Sequence, residues 1–474
     1  MVHVRCSSLC IYPLLFVTSL AHIALNSIFE PMSNEKEIAG FSKMGKREKI
    51  AWLAKNFLYA NPVEVVKEFA EYWHDNIEAQ KLLDGFSENT LTNFPVPFGI
   101  APNFKINGDI YAVPMVIEES SVVAAASNAA KYWLSRGGFK TEVISTKKVG
   151  QVHFIYHGAK EKLFTFFDSI KQELKQSIKH ITANMEGRGG GVLDMELIDF
   201  TSLEKDYYQL RAYFETVDSM GANFINSCLE EFGQQLSAKI VESNTFSETE
   251  KQIEIVMCIL SNYTPECLVR AEVSCRIEEL GTFENGTVTA EEFAANFLRA
   301  VNIARIDPYR ATTHNKGIMN GIDSVVLATG NDFRAVEACA HTYACRDGVY
   351  RSLSECKVEN GVFRFWLTMP IAIGTVGGLT SLHPLAKRSL ELLGNPNAKK
   401  LMEIIASVGL AQNFAALRSL TTVGIQAGHM KMHLTNILAG FQANEEESAK
   451  AKQFFEDKTV SVSAVREYLE GLRK

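Results

Sequence analysis

Gly150-Gln-Val-His-Phe-Ile-Tyr156 opens the stretch that decides the fold. Its apolar and polar residues alternate, as in a half-buried strand. A long helical run follows, Lys162 to Met185. Two more strand-like runs come next, Val192-Leu-Asp-Met-Glu-Leu-Ile198 and Tyr208 to Thr216. A second helix, Ala222 to Ser243, and a last strand, Gln252 to Leu260, complete the set. Strand, helix, strand, strand, helix, strand is the split βαββαβ order of ferredoxin-like domains. A small domain is therefore predicted over 146–260. It has no Gly-x-Gly-x-x-Gly after a strand, so a Rossmann dinucleotide fold is not supported. Two features in it suit phosphate. Asp218-Ser-Met-Gly-Ala-Asn223 opens the second helix, whose first N–H groups can hold a pyrophosphate, although an ordinary capped helix reads the same way. Gly187-Arg-Gly-Gly-Gly191 is a flexible loop.

On the N-terminal side, residues 36–90 have helical apolar spacing, with Ile50 to Leu58 and Val63 to Trp73 the clearest runs. Asn107-Gly-Asp marks a turn between strands. The strand Ile110 to Ile117 ends in Glu118-Glu119, and a helix follows, with Ser120 as N-cap and Val122 to Trp133 as body. Two carboxyls there suit either helix capping or chemistry.

On the C-terminal side, a helix ends near Ile303, and Thr289 with Glu292 makes a capping box at its start. Asp307 to Arg334 then concentrates reactive side chains. Arg310, His314, Lys316, Asn320, Asp323 and Asp332 sit among Gly317, Gly321 and Gly330. Asn315-Lys-Gly317 reads as loop-like. Lys316 and Asp332 suit an ion pair at the mouth of a cleft, either purely structural or able to stabilise an alkoxide. Ala335 to Arg346 reads as a helix, Phe363 to Ala372 as a strand, and Gly374-Thr-Val-Gly-Gly378 as a turn. Leu401 to Leu420 reads as a buried helix. His429 and His433 are four apart, but the Glu of His-Glu-x-x-His is absent and no third ligand is near, so no metal is expected.

A chain of 474 residues predicts two or three domains. Hydrophobic content of 46% and charged content of 22% are ordinary for a globular protein. A net charge of −7 without a basic block argues against nucleic acid. The nine cysteines lack a Cys-x-x-Cys pair, which fits a reducing compartment. Leu9 to Leu25 is apolar. A signal peptide, a short anchor, or an over-long start preceding Met32 all fit, and the third is preferred, which predicts a cytoplasmic protein.

Four stretches then carry a resemblance. They are Val113-Pro-Met-Val-Ile-Glu-Glu-Ser-Ser-Val-Val-Ala-Ala-Ala-Ser127, Asp218 to Asn223, Asp307 to Arg334, and Val408-Gly-Leu-Ala-Gln-Asn413 with Gly424-Ile-Gln-Ala-Gly-His-Met430. In this order they resemble class II 3-hydroxy-3-methylglutaryl-CoA (HMG-CoA) reductases. The resemblance implies an α+β fold. A large helical and mixed substrate domain (32–145 and 261–425) would hold an inserted ferredoxin-like cofactor domain (146–260). A C-terminal helical flap (426–474) would follow, after an N-terminal extension (1–31). It implies NAD(P)H-dependent reduction of HMG-CoA to mevalonate and CoA, or the reverse, by a homodimer or higher homo-oligomer with shared sites. Glu119, Lys316, Asp332 and His429 match the catalytic positions. Ser121, Asn262, Arg310 and Asn320 match substrate positions, and Asp218, Met220, Gly221 and Asn223 cofactor positions. Ser42 stands where some members carry an arginine for the CoA phosphates. In NADH-preferring relatives an acidic residue precedes the glycine loop. Counting back from Gly189 puts the uncharged Thr182 there, so NADPH is slightly favoured over NADH. A non-catalytic CoA-binding protein and another acyl-CoA reductase are the alternatives.

Overall fold

The computed structural model describes residues 36–283, 286–422, 434–435, 437–455, 458 and 460–473. The chain divides into two compact units, at Val96/Pro97. The first holds helices α1 (Lys46–Leu53), α2 (Pro62–Ala70) and α3 (Ile77–Asp84). Asn61 and Asn76 cap α2 and α3 with their side chains, and Pro62 sits at the first turn of α2, where its missing N–H costs nothing. Its buried core is small: Ile50, Ala54 and Val65.

The second unit begins with the hairpin β1 (Phe98–Ile106) and β2 (Asp109–Val116). Asn107 and Gly108 turn it with φ of 50° and 105°, the positive values an Asn-Gly hairpin turn demands. Next come α4 (Ser120–Leu134), β3 (Lys140–Val143), β4 (Lys148–Ile155), α5 (Lys160–Ser177), α6 (Lys179–Glu186), β5 (Gly191–Asp199), β6 (Tyr207–Glu215), α7 (Ala222–Glu242) and β7 (Glu254–Leu260). The predicted single helix over Lys162 to Met185 is thus two, broken at Ile178. The sheet order β5-β6-β4-β7, all antiparallel, is that of a ferredoxin-like βαββαβ unit. It has its own core, including Val152, Phe154, Leu210, Phe214, Leu229 and Phe232.

The chain continues through β8 (Leu268–Arg276), α8 (Ala290–Ile306), α9 (Pro308–Ala328), α10 (Phe333–Ala344), β9 (Ser354–Glu359), β10 (Val362–Pro370), α11 (Leu379–Leu382), α12 (Pro384–Leu392) and α13 (Ala398–Thr421). The Thr289–Glu292 capping box starts α8 as predicted. A second sheet, β3-β8-β10-β9, packs with α4, α8, α9 and α13 around the largest core. Helices α14 (Glu445–Phe454) and α15 (Val462–Leu472) form a small cluster with Phe455, Val465 and Leu469. Among the described residues, no helix is long and apolar enough to cross a membrane.

One expectation fails here in an instructive way. Asn315-Lys-Gly317 is not a loop; it lies inside the 21-residue helix α9. Each glycine in a helix interior costs about 1 kcal/mol against alanine, so each needs a reason. Gly321 has one. A Cβ there would lie 2.8 Å from the Val408 carbonyl oxygen, and one at Gly409 would lie 2.7 Å from Ile322. The two glycines let α9 and α13 approach closely, sealing Ile318, Ile322, Val325 and Leu410 from water. Gly317 has no such neighbour: nothing lies within 4 Å of its Cβ position.

Candidate functional site

Two elements bring the first cluster together. Strand β2 runs out at Val116, and Glu119 becomes the N-cap residue of α4 with extended backbone (φ −92°, ψ 113°). Its side chain does not cap. One carboxylate oxygen accepts the Ser121 hydroxyl at 2.5 Å, and the other lies 3.6 Å from Lys316 Nζ on α9. Both side chains of this ion pair are open, 64% and 40% exposed, so water screens it and the lysine stays available to a ligand. Asn320 follows one turn later on the same face of α9. Arg310, one and a half turns earlier, is half-buried, and burial lowers its proton affinity. The bare surface of Gly317 lies between Arg310 and Asn320 along this helix.

Lys316 pairs with Glu119 rather than with Asp332, contrary to the sequence-based expectation. Asp332 instead caps α10, accepting from the Arg334 and Ala335 amides at 3.0 and 3.2 Å. Its two oxygens also take the Arg334 guanidinium, each at 3.0 Å. That pairing holds its carboxyl below the usual range. His314 drops out as a reactive group. It is buried against Ser354 (2.6 Å), and burial drives its pKa down to about 3, leaving it neutral.

A cleft of about 680 Å³ forms the second cluster. Ser219 to Phe224 at the start of α7 line one side, and Asn331 to Arg334 and the Gly374–Thr380 segment line others. Gly374 is required: a Cβ there would sit 2.5 Å from the Met220 amide nitrogen. Met220, Gly221 and Asn223 line this cleft, and so does Asp332. Asp218 does not line it. Its carboxylate is turned to the Ala398 amide (2.8 Å), capping α13. Asn262 lies nearby, lining a small gap with Lys148, Met220 and Ala335. Thr182 is fully buried, its hydroxyl tied to Glu186 (2.8 Å). From α6, the residues that face the cleft are Ile181, Asn184 and Met185, followed just past its end by Arg188. Their spacing is that of one helix face, and Thr182 is on the other. Arg334 was not singled out from the sequence, and Arg188 counted there only as one of the basic residues, with Lys179 and His180, close to Thr182. Helical phasing from the buried Met185 points to Arg188; nothing local points to Arg334. The His429 position lies outside the described residues, as does His433. Among the described residues, no group of three metal-type ligands occurs.

Residues 47–434 match the family described as Hydroxymethylglutaryl-coenzyme A reductase. The chain belongs to that family. It is 34% identical to 3-hydroxy-3-methylglutaryl-coenzyme A reductase of Archaeoglobus fulgidus, over 95% of this chain and 98% of that one. It is 32% identical to a probable reductase of the same name from Borreliella burgdorferi, over 81% and 86%. Its fold is similar to a class II reductase from Streptococcus pneumoniae bound to NADPH in open conformations, with a TM-score of 0.67, 33% identity, and coverage of 97% and 100%. A further structure of the S. pneumoniae enzyme matches with a TM-score of 0.67 and 35% identity. The α+β fold and the class II resemblance of the four motifs therefore stand, and the chain is an oxidoreductase of the HMG-CoA reductase family.

Proposed function

We propose that this reductase converts HMG-CoA to mevalonate and free CoA with two equivalents of NADPH, as a homodimer or larger homo-oligomer. One observation supports this reading above others. A single cleft carries Met220, Gly221 and Asn223 on one wall and Asp332 on another. A nicotinamide dinucleotide fits it chemically: the start of α7, which no side chain caps, and the Arg188 guanidinium both favour phosphate. The cofactor would supply hydride, once to the thioester carbonyl and once to the aldehyde.

The chain's own residues handle charge and protons. Lys316 places a cation where the carbonyl oxygen becomes negative. Glu119, held by Ser121 and Lys316, passes a proton to that oxygen in the aldehyde step. His429 protonates the CoA thiolate as the carbon–sulfur bond breaks. Arg310 pairs with the free carboxylate of the substrate, where a guanidinium can bind both oxygens. Asn320 and Asn262 orient the substrate, and Asp332 acts from the cleft wall. Assembly into a homodimer is supported by the large apolar side chains that the first unit leaves exposed, among them Tyr59, Tyr72 and Phe94. The test follows nicotinamide absorbance with HMG-CoA and NADPH or NADH. No cofactor oxidation in either mixture defeats the reading, and size-exclusion with light scattering decides the assembly.

A further inference from the structure

Lys148 is the first residue of β4 and is buried, with 4% exposure. A buried ammonium is costly unless a charge or strong acceptors compensate. No carboxylate within ion-pairing distance of it is seen among the described residues. Its Nζ donates instead to the Thr216 hydroxyl and to the Ser219 carbonyl oxygen, the latter at 2.8 Å. The Thr216 hydroxyl donates to the same carbonyl at 2.6 Å. These contacts close a tight turn from Thr216 to Ser219.

That turn is strained. Val217 has φ of 52°, a left-handed value that a β-branched residue rarely adopts. The surroundings hold it there. The Val217 amide donates to Glu215 Oε1 at 2.7 Å, and the other oxygen of Glu215 takes the Thr146 hydroxyl. The Asp218 carbonyl accepts from the Thr375 amide at 2.8 Å. Gly221, at φ 87°, passes so close that a Cβ would lie 2.5 Å from Thr216 Cγ2. The turn leads directly into Met220–Asn223, the cleft wall. Lys148 also adjoins that wall: with Met220 and Ala222, which line the cleft too, it lines the small gap beside it.

We propose that Lys148 is a positioning residue for the dinucleotide: its ammonium pins the strained Thr216–Ser219 turn and so sets the cofactor-facing wall Met220–Asn223. The inference rests on the cofactor reading of the cleft. An apolar side chain of similar length would fill the same space at less desolvation cost. The ammonium is therefore explained by the turn it holds rather than by packing.

The test compares Lys148→Met, Thr216→Val, the double variant and Asn223→Tyr, the last placing a bulky ring in the cleft itself. Steady-state KM is measured for NADPH and for HMG-CoA, with NADPH affinity from fluorescence titration. Lys148→Met is expected to raise the KM and Kd for NADPH about tenfold, the loss of charged hydrogen bonds. The KM for HMG-CoA should stay within about twofold, a difference too small to count as a lost contact. Thr216→Val should shift the same cofactor parameters in the same direction by less. The double variant should be no worse than Lys148→Met, because both changes break one network. Unchanged NADPH affinity in Lys148→Met, or an equal rise in both KM values, overturns the proposal. If Lys148→Met does not fold, Thr216→Val decides by the same criterion. If Asn223→Tyr also leaves NADPH binding unchanged, the cleft reading itself has failed, and not merely the role of Lys148.

Discussion

Lys316 Nζ lies 3.6 Å from Glu119 Oε2, while Ser121 holds the other oxygen of the same carboxylate at 2.5 Å. The acid is thus fixed on one side and faces a cation on the other. Lys316→Ala should lower kcat about 100- to 1000-fold, the usual cost of losing an oxyanion-stabilising donor. The fold should survive, because the side chain is mostly exposed. Circular dichroism controls for folding. Near-full activity in this variant would remove Lys316 from the chemistry.

Gly317 gives a prediction with opposite signs for stability and function. With nothing within 4 Å of its Cβ position, Gly317→Ala costs no packing. It should stabilise helix α9 by about 0.5–1 kcal/mol. If the bare surface beside Lys316 receives HMG-CoA, the added methyl should raise the KM for that substrate. Denaturant melts and kinetics on one preparation check both. A more stable variant with unchanged KM would show that this face of α9 is not a binding surface.

These two residues also show where the sequence was and was not legible. The βαββαβ order, the Asn-Gly hairpin turn and the Thr289 capping box are local signals, and each gives its element directly. The helical state of Lys316 was hidden because Asn-Lys-Gly is written in loop-forming residues. What overrides that preference is a helix some 90 residues further along the chain, against which Gly321 packs. The Glu119–Ser121–Lys316 cluster was recoverable from matched motifs. The pairing of Asp332 with Arg334 was not, since an aspartate before a helix can cap it and face a site at once. Thr182 was misplaced by counting along the chain, where the phase of the helix decides which residue faces the cleft.

Asp323 on α9 faces Glu337 on α10, and burial together with that carboxylate pushes its pKa up to about 9. The folded state therefore holds a proton there that the unfolded chain releases near pH 4. For a raised folded pKa, stability is fully present below the unfolded value and is lost as pH rises toward the folded one. Asp323→Asn keeps a donor for Glu337 but does not titrate. The stability difference between variant and wild type should grow in the variant's favour from about pH 4 to about pH 9, then level off. Urea melts at several pH values across that window measure it. A flat difference would mean that no proton is shared between the two helices.

His429→Gln separates two steps of the reaction. Reduction of free mevaldehyde involves no departing thiolate, so its rate should fall much less than that of HMG-CoA. Equal losses on the two substrates would leave His429 a structural residue.

In the proposed placement of the dinucleotide, cofactor choice is decided by what faces the adenosine ribose, and the α6 side of the cleft presents Asn184, Met185 and Arg188 rather than Thr182. Arg188 is exposed. Its Nε donates to the Asn184 carbonyl at 3.2 Å, and among the described residues it makes no ion pair with a carboxylate. An unpaired guanidinium suits the 2′-phosphate of NADPH and gains little from the 2′-hydroxyl of NADH. Thr182 cannot contribute, being buried and bonded to Glu186, so Thr182→Asp should disturb folding more than selectivity. Arg188→Glu places a negative charge where the phosphate would lie. It should cut kcat/KM for NADPH by about tenfold or more, as expected for a lost charged hydrogen bond, and leave kcat/KM for NADH unchanged or improved. Measuring both cofactors on wild type and Arg188→Glu settles the point: a variant whose ratio does not move would place the ribose elsewhere in the cleft.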